Sequence, residues 1–345
     1  KEINNRLDEI RAMALNIYME QSAVRDGVTA EEVKGILLGM ASGQETLLGY
    51  FRRFIRNFEK RVGINRTVGS LRAYSNAYSH IERFLQAQYK LSDIPFSALD
   101  RSFIDKYDLY LRTECNLAPG TIINLTVQLK TIVGEAIADG IITASPFMGY
   151  EPVRPKHVQK YLTAEELHRI MTTPLHRQTL YHVRDMFLFS CFTGIPYGDM
   201  RLLTKDNLCL AEDGIWWIKS ARQKTKIEFE IPLLDLPLQI LKKYSGTAPG
   251  DKLLPMYCNS TLNLYLKEIA RICHIDRPLV FHAGRHTYAT EITLSHGVPL
   301  ETVSRMLGHS QIETTQIYAK VTDEKIDADT KALNRKISER FSVVI

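Results

Sequence analysis

The sequence has few cysteines, and their spacing suggests no structural role for them. The 345 residues include five, at positions 115, 191, 209, 258 and 273, and no two form a CxxC pair. An odd, scattered set argues against a disulfide framework and against a cysteine-based zinc site, and is typical of reduced thiols. We therefore expect a cytoplasmic protein with no metal centre and no cofactor.

Long apolar runs and a strong charge imbalance are also missing. No stretch approaches 18 consecutive apolar residues, so no membrane-spanning helix is predicted. The first residues, KEINNRLDEI, mix acidic and basic side chains, unlike a signal peptide. The excess of 44 Lys and Arg over 39 Asp and Glu gives a net charge of +5, which is compatible with nucleic-acid binding but does not require it. The chain begins at Lys1 and not at Met, which suggests a fragment of a longer protein.

Helical periodicity dominates the first half of the chain. Two helices are expected within residues 1–40, the second opening with a capping box at 29–32. Further helices are predicted near 46–62, 67–89, 98–116 and 120–139. A proline-rich passage, ASPFMGYEPVRPKH, then marks a domain boundary. The predicted divisions are an N-terminal helical segment at 1–42, an all-α domain at 43–145, a linker at 146–160 and a second domain at 161–345.

The second half combines helices with one hairpin. A capping box at Thr163–Glu166 begins it, and the strands GIWWIK (214–219) and IEFEIPL (227–233) flank a basic turn, SARQKTK. Helices are predicted near 164–171, 177–191, 235–244, 259–272, 284–295 and 299–307. The predicted fold is mainly α with a small antiparallel β-hairpin or sheet in the second domain.

Residues 281–290, FHAGRHTYAT, place His282 and Arg285 three positions apart at a helix start, so the two side chains share a face. Alone, such a pair is usually a surface pair or a helix cap. His282 and His286 have the i,i+4 spacing of a zinc motif, but Ala283 stands where the HExxH pattern needs Glu. We therefore expect no metal here.

Two further segments carry polar residues that are unremarkable in isolation. In MLGHSQIETTQIYAKV, Gly308 would end one helix, and a capping box at 310–313 would open another, with His309 at the joint and Tyr318 beyond it. Lys224 lies in the hairpin turn. A helical Tyr is usually a packing residue, and a Lys in a turn is usually solvated.

The order of these pieces resembles the tyrosine recombinase (phage integrase) family. A Lys in a β-turn is followed by HxxRH, then LGH, then a Tyr nine residues after that His, and TGxxxxDM at 193–200 precedes them all. The resemblance covers about residues 43–325 and is greatest to integrases of Bacteroides-type mobile elements and conjugative transposons. It implies an all-α core-binding domain that holds DNA, and a mixed α+β catalytic domain.

The resemblance implies site-specific recombination of DNA through a 3′-phosphotyrosine intermediate. Tyr318 would attack the scissile phosphate, and Arg285 would bind its nonbridging oxygens through a planar fork that Lys cannot reproduce. His282 would take part in proton transfer, and His309 would donate to the phosphate. Lys224 would be the general acid for the departing 5′-oxygen.

The family has one more arginine, directly after TG and a hydrophobic residue, where this chain has Pro196. Losing a charge-assisted contact in a buried site costs several kcal/mol in the transition state unless it is replaced. Candidates are Arg184, Arg201 and Arg222. We favour Arg184, because it lies in an apolar helix beside Asp185 and would need a partner there; the alternative is a purely structural Arg184–Asp185 region.

By the same resemblance, the partners are double-stranded DNA and further copies of the chain. A tetramer on two duplexes would exchange C-terminal tails, with accessory DNA-bending or directionality factors and no membrane, and residues 1–42 would be a remnant of, or a link to, an arm-binding region. The predicted phosphate contacts are Arg52, Arg53, Arg56, Lys130, Arg222 and Lys226. Two other functions stay open: a catalytically weakened DNA-binding protein, suggested by Pro196, and a type IB topoisomerase, which shares this chemistry.

Overall fold

The computed structural model describes residues 2–22, 28, 30, 33, 45–153, 160–318 and 323–338. The chain divides into two compact units, Lys1–His157 and Val158–Ile345. This division falls within the passage predicted as the linker, 146–160, but Phe147 and Tyr150 are buried in the core of the first unit. The predicted capping box at 29–32 and the apolar run at the C-terminus lie outside the described residues.

The regular elements described in the first unit are all helices. Its helices are α1 (Glu2–Ser22), α2 (Leu47–Glu59), α3 (Val68–Phe84), α4 (Arg101–Thr113) and α5 (Pro119–Ala138). The carboxylate of Asp93 accepts hydrogen bonds from the backbone N–H groups of Leu48 and Gly49, and so caps the first turn of α2. Helix α2 then buries Leu47, Phe51 and Phe58, as its apolar periodicity predicts.

The second unit surrounds one buried helix with shorter helices and a small sheet. Its helices are α6 (Ala164–Thr172), α7 (Gln178–Thr193), α8 (Tyr197–Met200), α9 (Asp235–Lys243), α10 (Asn259–Ile272), α11 (Ala283–Thr287), α12 (Leu300–Met306), α13 (Glu313–Gln316) and α14 (Asp323–Ser338). Helix α7 is buried along most of its length and packs against α9, α10 and α11. It therefore forms the centre of the core.

The sheet has three antiparallel strands in the order β1 (Leu208–Leu210), β2 (Trp216–Ala221) and β3 (Glu228–Pro232). Ile218 of β2 lies opposite Ile231 of β3, and both are buried. The predicted hairpin is thus confirmed, and with it the mainly helical fold with a small antiparallel sheet. Strand β1 was not predicted, because three residues are too few to show an alternating pattern.

The two predicted capping boxes in this unit have different outcomes. Thr163 and Glu166 form the reciprocal pair that opens α6. Helix α13, however, begins at Glu313 with Ile312 as its N-cap and no side-chain cap, so the prediction at 310–313 is wrong. Among the described residues, no helix combines the length and apolar character needed to cross a membrane.

Candidate active site

The joint between α7 and α8 requires a glycine. Gly194 ends α7 with φ +70°, and a Cβ there would lie 2.5 Å from Tyr288 Cδ1 and 2.8 Å from Leu307 Cδ2. The left-handed backbone and this close packing both exclude a side chain. Pro196 follows as the N-cap of α8. The joint therefore presents the Gly194 carbonyl oxygen to the interior, where Arg285 binds it.

Arg285 is almost completely buried, with 3% of its surface exposed. Its Nη1 donates to the carbonyl oxygen of Gly194 at 2.9 Å, and its Nη2 donates to that of Leu307 at 2.7 Å and to His309 Nε2 at 2.8 Å. These contacts use three of the five N–H donors of the guanidinium. Burial, followed by the charge of Arg222, lowers the pKa of Arg285 to about 10, and the Tyr318 side chain acts in the opposite direction. Arg285 therefore remains a cation at neutral pH.

A second glycine allows Arg285 to reach this depth. A Cβ on Gly284 would lie 2.9 Å from Ser190 Oγ and 3.3 Å from the backbone nitrogen of Cys191. Helix α11 can therefore approach α7 closely at this point.

His309 is held by hydrogen bonds at both ring nitrogens. Nε2 accepts from Arg285, so the network assigns the proton to Nδ1, which donates to Thr315 Oγ1 at 2.7 Å. Burial, followed by the charges of Arg285 and Arg222, lowers the pKa of His309 to about 4. His309 is thus a neutral imidazole at neutral pH in the absence of DNA.

Arg222 is the second arginine of the cluster. It lies at the start of the β2–β3 turn, and its Nη1 donates to the Leu307 carbonyl oxygen at 3.0 Å. Its Nε lies 2.7 Å from Asp199 Oδ2, and the other oxygen of Asp199 accepts from the backbone N–H of Gln223. The charge of Arg222 lowers the pKa of Arg285 and also that of His309. Asp199, three residues after Pro196, therefore holds Arg222 beside Arg285.

Gly308 provides the space for Arg222. Its φ is +62°, and a Cβ would lie 2.9 Å from Arg222 Cγ and 3.3 Å from Phe229 Cβ. Gly308 thus follows the end of α12. Because it has no side chain, the aliphatic part of Arg222 can pass directly over its backbone.

Arg184, the predicted substitute for the missing arginine, has partners outside the cluster around Arg285. Its guanidinium donates to the Met171 carbonyl oxygen at 3.3 Å, lies 3.7 Å from Asp185 and stacks over the Tyr181 ring at 4.7 Å. Asp185 in turn binds Lys243 and Tyr244. None of these partners belongs to the cluster around Arg285. The contacts of Arg184 are thus local to α6 and α7, as in the structural alternative.

Tyr318 is brought to the same cluster. It is 6% exposed and packs with Tyr288, Val303 and Leu307. Its ring lies nearly parallel to that of His309, with centroids 6.2 Å apart, and meets the ring of His286 edge-on at 5.0 Å. The predicted Arg285, His309 and Tyr318 are therefore neighbours.

His282 lies at the outer end of the same row of rings. Its ring meets that of His286 edge-on at 4.9 Å. Although part of the residue reaches solvent, desolvation lowers its pKa, and the charges of Arg285, Arg222 and Lys160 lower it further. His282 is thus a mainly neutral imidazole at the rim of the cluster.

Lys224 and Lys226 occupy the tip of the hairpin. The turn is closed by hydrogen bonds from Arg222 N to Ile227 O and from Lys226 N to Arg222 O, both 2.8 Å, and Lys226 has φ +60°. Lys224 is exposed to solvent two residues beyond Arg222. The site thus has a charged, solvent-facing rim next to its buried arginines.

The predicted DNA contacts of the first unit differ in their surroundings. Arg52 donates to the Tyr78 hydroxyl, Arg53 pairs with Glu45 at 2.7 Å, and Lys130 donates to the Tyr150 carbonyl oxygen at 3.1 Å. Arg56 is exposed on α2. Within the described residues, no three His, Cys, Asp or Glu side chains are grouped so that they could hold a metal ion.

Comparisons with known proteins cover both units. The model of the phage integrase family matches residues 160–325, and that of the phage integrase SAM-like domain matches residues 46–152. Tyrosine recombinase XerD of Listeria monocytogenes serovar 1/2a is 25% identical over 273 residues, which is 74% of this chain and 89% of that protein.

Two solved structures share the fold. The Tn1549 transposon integrase in complex with transposon right end DNA has a TM-score of 0.65 at 18% identity, over 84% of this chain and 99% of that one. A lambda integrase dimer bound to a core site also has a TM-score of 0.65 at 18% identity, over 81% of this chain and 100% of that one.

Proposed function

Because the chain belongs to the phage integrase (tyrosine recombinase) family of enzymes that cleave and rejoin DNA, we propose that it is a site-specific recombinase of a mobile element and acts through a 3′-phosphotyrosine intermediate. The observation that carries this proposal is the position of Tyr318. The phenol is buried beside Arg285 and stacked against the imidazole of His309, and these groups suit attack on a phosphodiester.

The two arginines would supply the electrostatic stabilisation. Arg222 and Arg285 are like charges that donate to one carbonyl oxygen. Each disfavours the charged form of the other, which is why Arg222 lowers the pKa of Arg285. A phosphate between them would relieve this repulsion, and a phosphorane, with its additional negative charge, would relieve it more. Interactions that strengthen in the transition state are those that accelerate the reaction.

Covalent chemistry would begin with Tyr318. Its oxygen forms a bond to the scissile phosphorus while the bond from phosphorus to the 5′-oxygen breaks, and Lys224 gives a proton to the departing oxygen. Phenols with a pKa near 10 need assistance to act as nucleophiles at neutral pH. Arg285 interacts with the Tyr318 side chain, and His282 is proposed to take part in moving the phenolic proton.

His309 would change its role when DNA binds. In the DNA-free site its Nε2 accepts from Arg285, so it cannot also donate to a phosphate. An anion beside the ring raises its pKa and favours protonation at Nε2. We therefore propose that the phosphate replaces His309 as an acceptor of Arg285, and that the protonated His309 then donates to it.

The first unit is proposed to be the core-binding domain, spanning 43–145. The Tn1549 and lambda integrases of the same fold are bound to DNA, which supports duplex DNA as the partner here. Of the proposed phosphate contacts, Arg222 is partly buried and the others are exposed: Arg52, Arg53, Arg56, Lys130 and Lys226. The described cysteines are all free thiols, which supports the proposed cytoplasmic location.

Tail exchange in a tetramer is supported by the surface of α14. Ile326, Leu333 and Ile337 are 53%, 55% and 40% exposed, and their spacing places them on one helix face. An exposed apolar stripe of this kind gains stability when it packs against another copy. Accessory DNA-bending or directionality factors, and an origin in Bacteroides-type elements, remain proposals that follow from the sequence resemblance.

The proposal can be separated from its two alternatives in one series of assays. Duplexes selected by the protein from a random pool are first placed in pairs on a supercoiled plasmid. Recombinant products together with a covalent protein–DNA adduct support the recombinase. Relaxation of the plasmid without recombinants would favour a topoisomerase, and binding with neither relaxation nor adduct would favour a catalytically weakened DNA-binding protein.

A further inference from the structure

His286 has no part in the chemistry proposed above, yet it contacts the nucleophile. It follows Arg285 on α11, so the same short helix carries both residues to the site. Its ring meets Tyr318 edge-on, with centroids 5.0 Å apart and an interplanar angle of 71°. The i,i+4 spacing from His282, which in sequence suggested a zinc pair, instead places the two rings in edge-on contact at 4.9 Å.

The backbone around Tyr318 gives its side chain little local support. Helix α13 spans only Glu313–Gln316, and the backbone N–H of Tyr318 donates to the Thr315 carbonyl oxygen at 3.0 Å. The orientation of the phenol therefore depends on what packs against its ring. His309 lies nearly parallel to the ring at 6.2 Å, and His286 provides the edge contact.

His286 is suited to packing and not to carrying charge. Its burial, and after that the neighbouring His282, Lys160 and Arg285, lower its pKa to about 4. A neutral imidazole in this position behaves as an aromatic ring, and edge-to-face pairs of such rings favour one geometry. Arg285 already supplies the positive charge beside Tyr318, so a second cation is not required.

We propose that His286 is a positioning residue, whose ring holds Tyr318 so that its phenolic oxygen stays beside Arg285, in line for attack on phosphorus. The inference rests on the proposed function, in which Tyr318 is the nucleophile. Its effect would be on the rate of the bond-forming step and not on DNA affinity, because His286 contacts the nucleophile. A displacement of about 1 Å at a reacting group can cost about a hundredfold in rate.

The first test compares His286→Ala with His286→Phe on nicked suicide duplexes under single-turnover conditions at saturating DNA. We expect adduct formation to slow about tenfold or more for His286→Ala, with the Kd for DNA within about twofold of wild type. His286→Phe keeps a ring edge and should cleave within about threefold of wild type. His168→Ala, at an exposed histidine on α6, is the matched control and should behave as wild type.

Two results would overturn the inference. One is adduct formation by His286→Ala at the wild-type rate. The other is a loss in His286→Phe as large as in His286→Ala, because a nitrogen would then be required and the role would be proton transfer. If thermal unfolding shows that His286→Ala is not folded, the comparison of His286→Phe with wild type decides alone.

A sulfur substitution separates the nucleophile side from the leaving-group side. In a duplex with a 5′-bridging phosphorothiolate, Tyr318 still bonds to phosphorus, but the thiolate departs without needing a proton. Lys224→Ala should recover on this substrate, whereas His286→Ala should stay slow. Equal recovery of both would place His286 on the leaving-group side and contradict the inference. If wild type forms no adduct on any duplex, the proposed function fails and the inference fails with it. If only the inference is wrong, wild type still forms the adduct and only the results for the His286 variants differ from those expected.

Discussion

Arg222 and Arg285 donate hydrogen bonds to the same acceptor, the carbonyl oxygen of Leu307, at 3.0 and 2.7 Å. Arg222 lies in the hairpin turn and Arg285 lies on α11. Pro196 occupies the position where the family has its other arginine. Asp199, three residues after Pro196, pairs with Arg222. The segment that lacks the arginine therefore provides the carboxylate that holds Arg222, which we propose as its replacement.

We predict that Arg222→Ala lowers the rate of DNA cleavage by about a hundredfold to a thousandfold, the loss expected when one donor to a developing anion is removed. Arg184→Ala and Arg201→Ala should cleave within about threefold of wild type, because Arg184 donates to Met171 and Arg201 is exposed to solvent. The measurement is single-turnover cleavage at saturating DNA. If Arg184→Ala cleaves slowly and Arg222→Ala cleaves normally, Arg184 would again be the replacement for the arginine missing at Pro196.

Substitution of Gly308 should impair catalysis more than its backbone conformation alone predicts. Gly308 and Gly297 have φ of +62° and +81°, but a Cβ would collide with Arg222 only at Gly308, since it would meet nothing within 4 Å at Gly297. Both alanine variants should lose about 1–2 kcal/mol of stability from the left-handed backbone. Only Gly308→Ala should also lose most of its cleavage rate, and equal cleavage by the two variants would show that Arg222 need not pass over residue 308.

The stability of the second unit should fall as the pH drops from about 6.5 towards about 4. His286 and His309 have pKa values lowered to about 4, whereas the unfolded chain takes up these protons near pH 6.5. Within that window the unfolded state binds more protons, so acid favours unfolding, and above it these groups have no effect.

His286→Phe removes one of these groups and should reduce the pH dependence of the unfolding free energy by up to about 1.4 kcal/mol per pH unit. Urea unfolding followed by Trp fluorescence is suitable, because both tryptophans, Trp216 and Trp217, lie on β2. His168→Ala is the control and should keep the wild-type slope. A slope unchanged in His286→Phe would mean that His286 titrates normally in the folded protein.

Local patterns predicted much of the fold. The capping box at Thr163, the hairpin and most helix positions were found from sequence, because caps, strand alternation and helical periodicity involve neighbouring residues. Strand β1 was too short to show a pattern. The capping box predicted at Ser310 failed because α13 begins without a side-chain cap.

The site was only partly predictable. The ordered motif identified Arg285, His309 and Tyr318, but the role of Arg222 depends on Asp199, Gly308 and the Leu307 carbonyl, which are distant in sequence. Arg184 was favoured because a charge in an apolar helix needs a partner. Its partners are local to α6 and α7, which favours Arg222 for the site and leaves the choice to the cleavage assay.

The identity of the nucleophile is the central claim, and one measurement tests it most directly. Wild type is incubated with a nicked suicide duplex, the adduct is digested with protease, and the peptide that carries the nucleotide is identified by mass spectrometry. We expect a phosphodiester on Tyr318, attached to the 3′ end of the cut strand, and no adduct from Tyr318→Phe. An adduct on another residue, or one that persists in Tyr318→Phe, would contradict it.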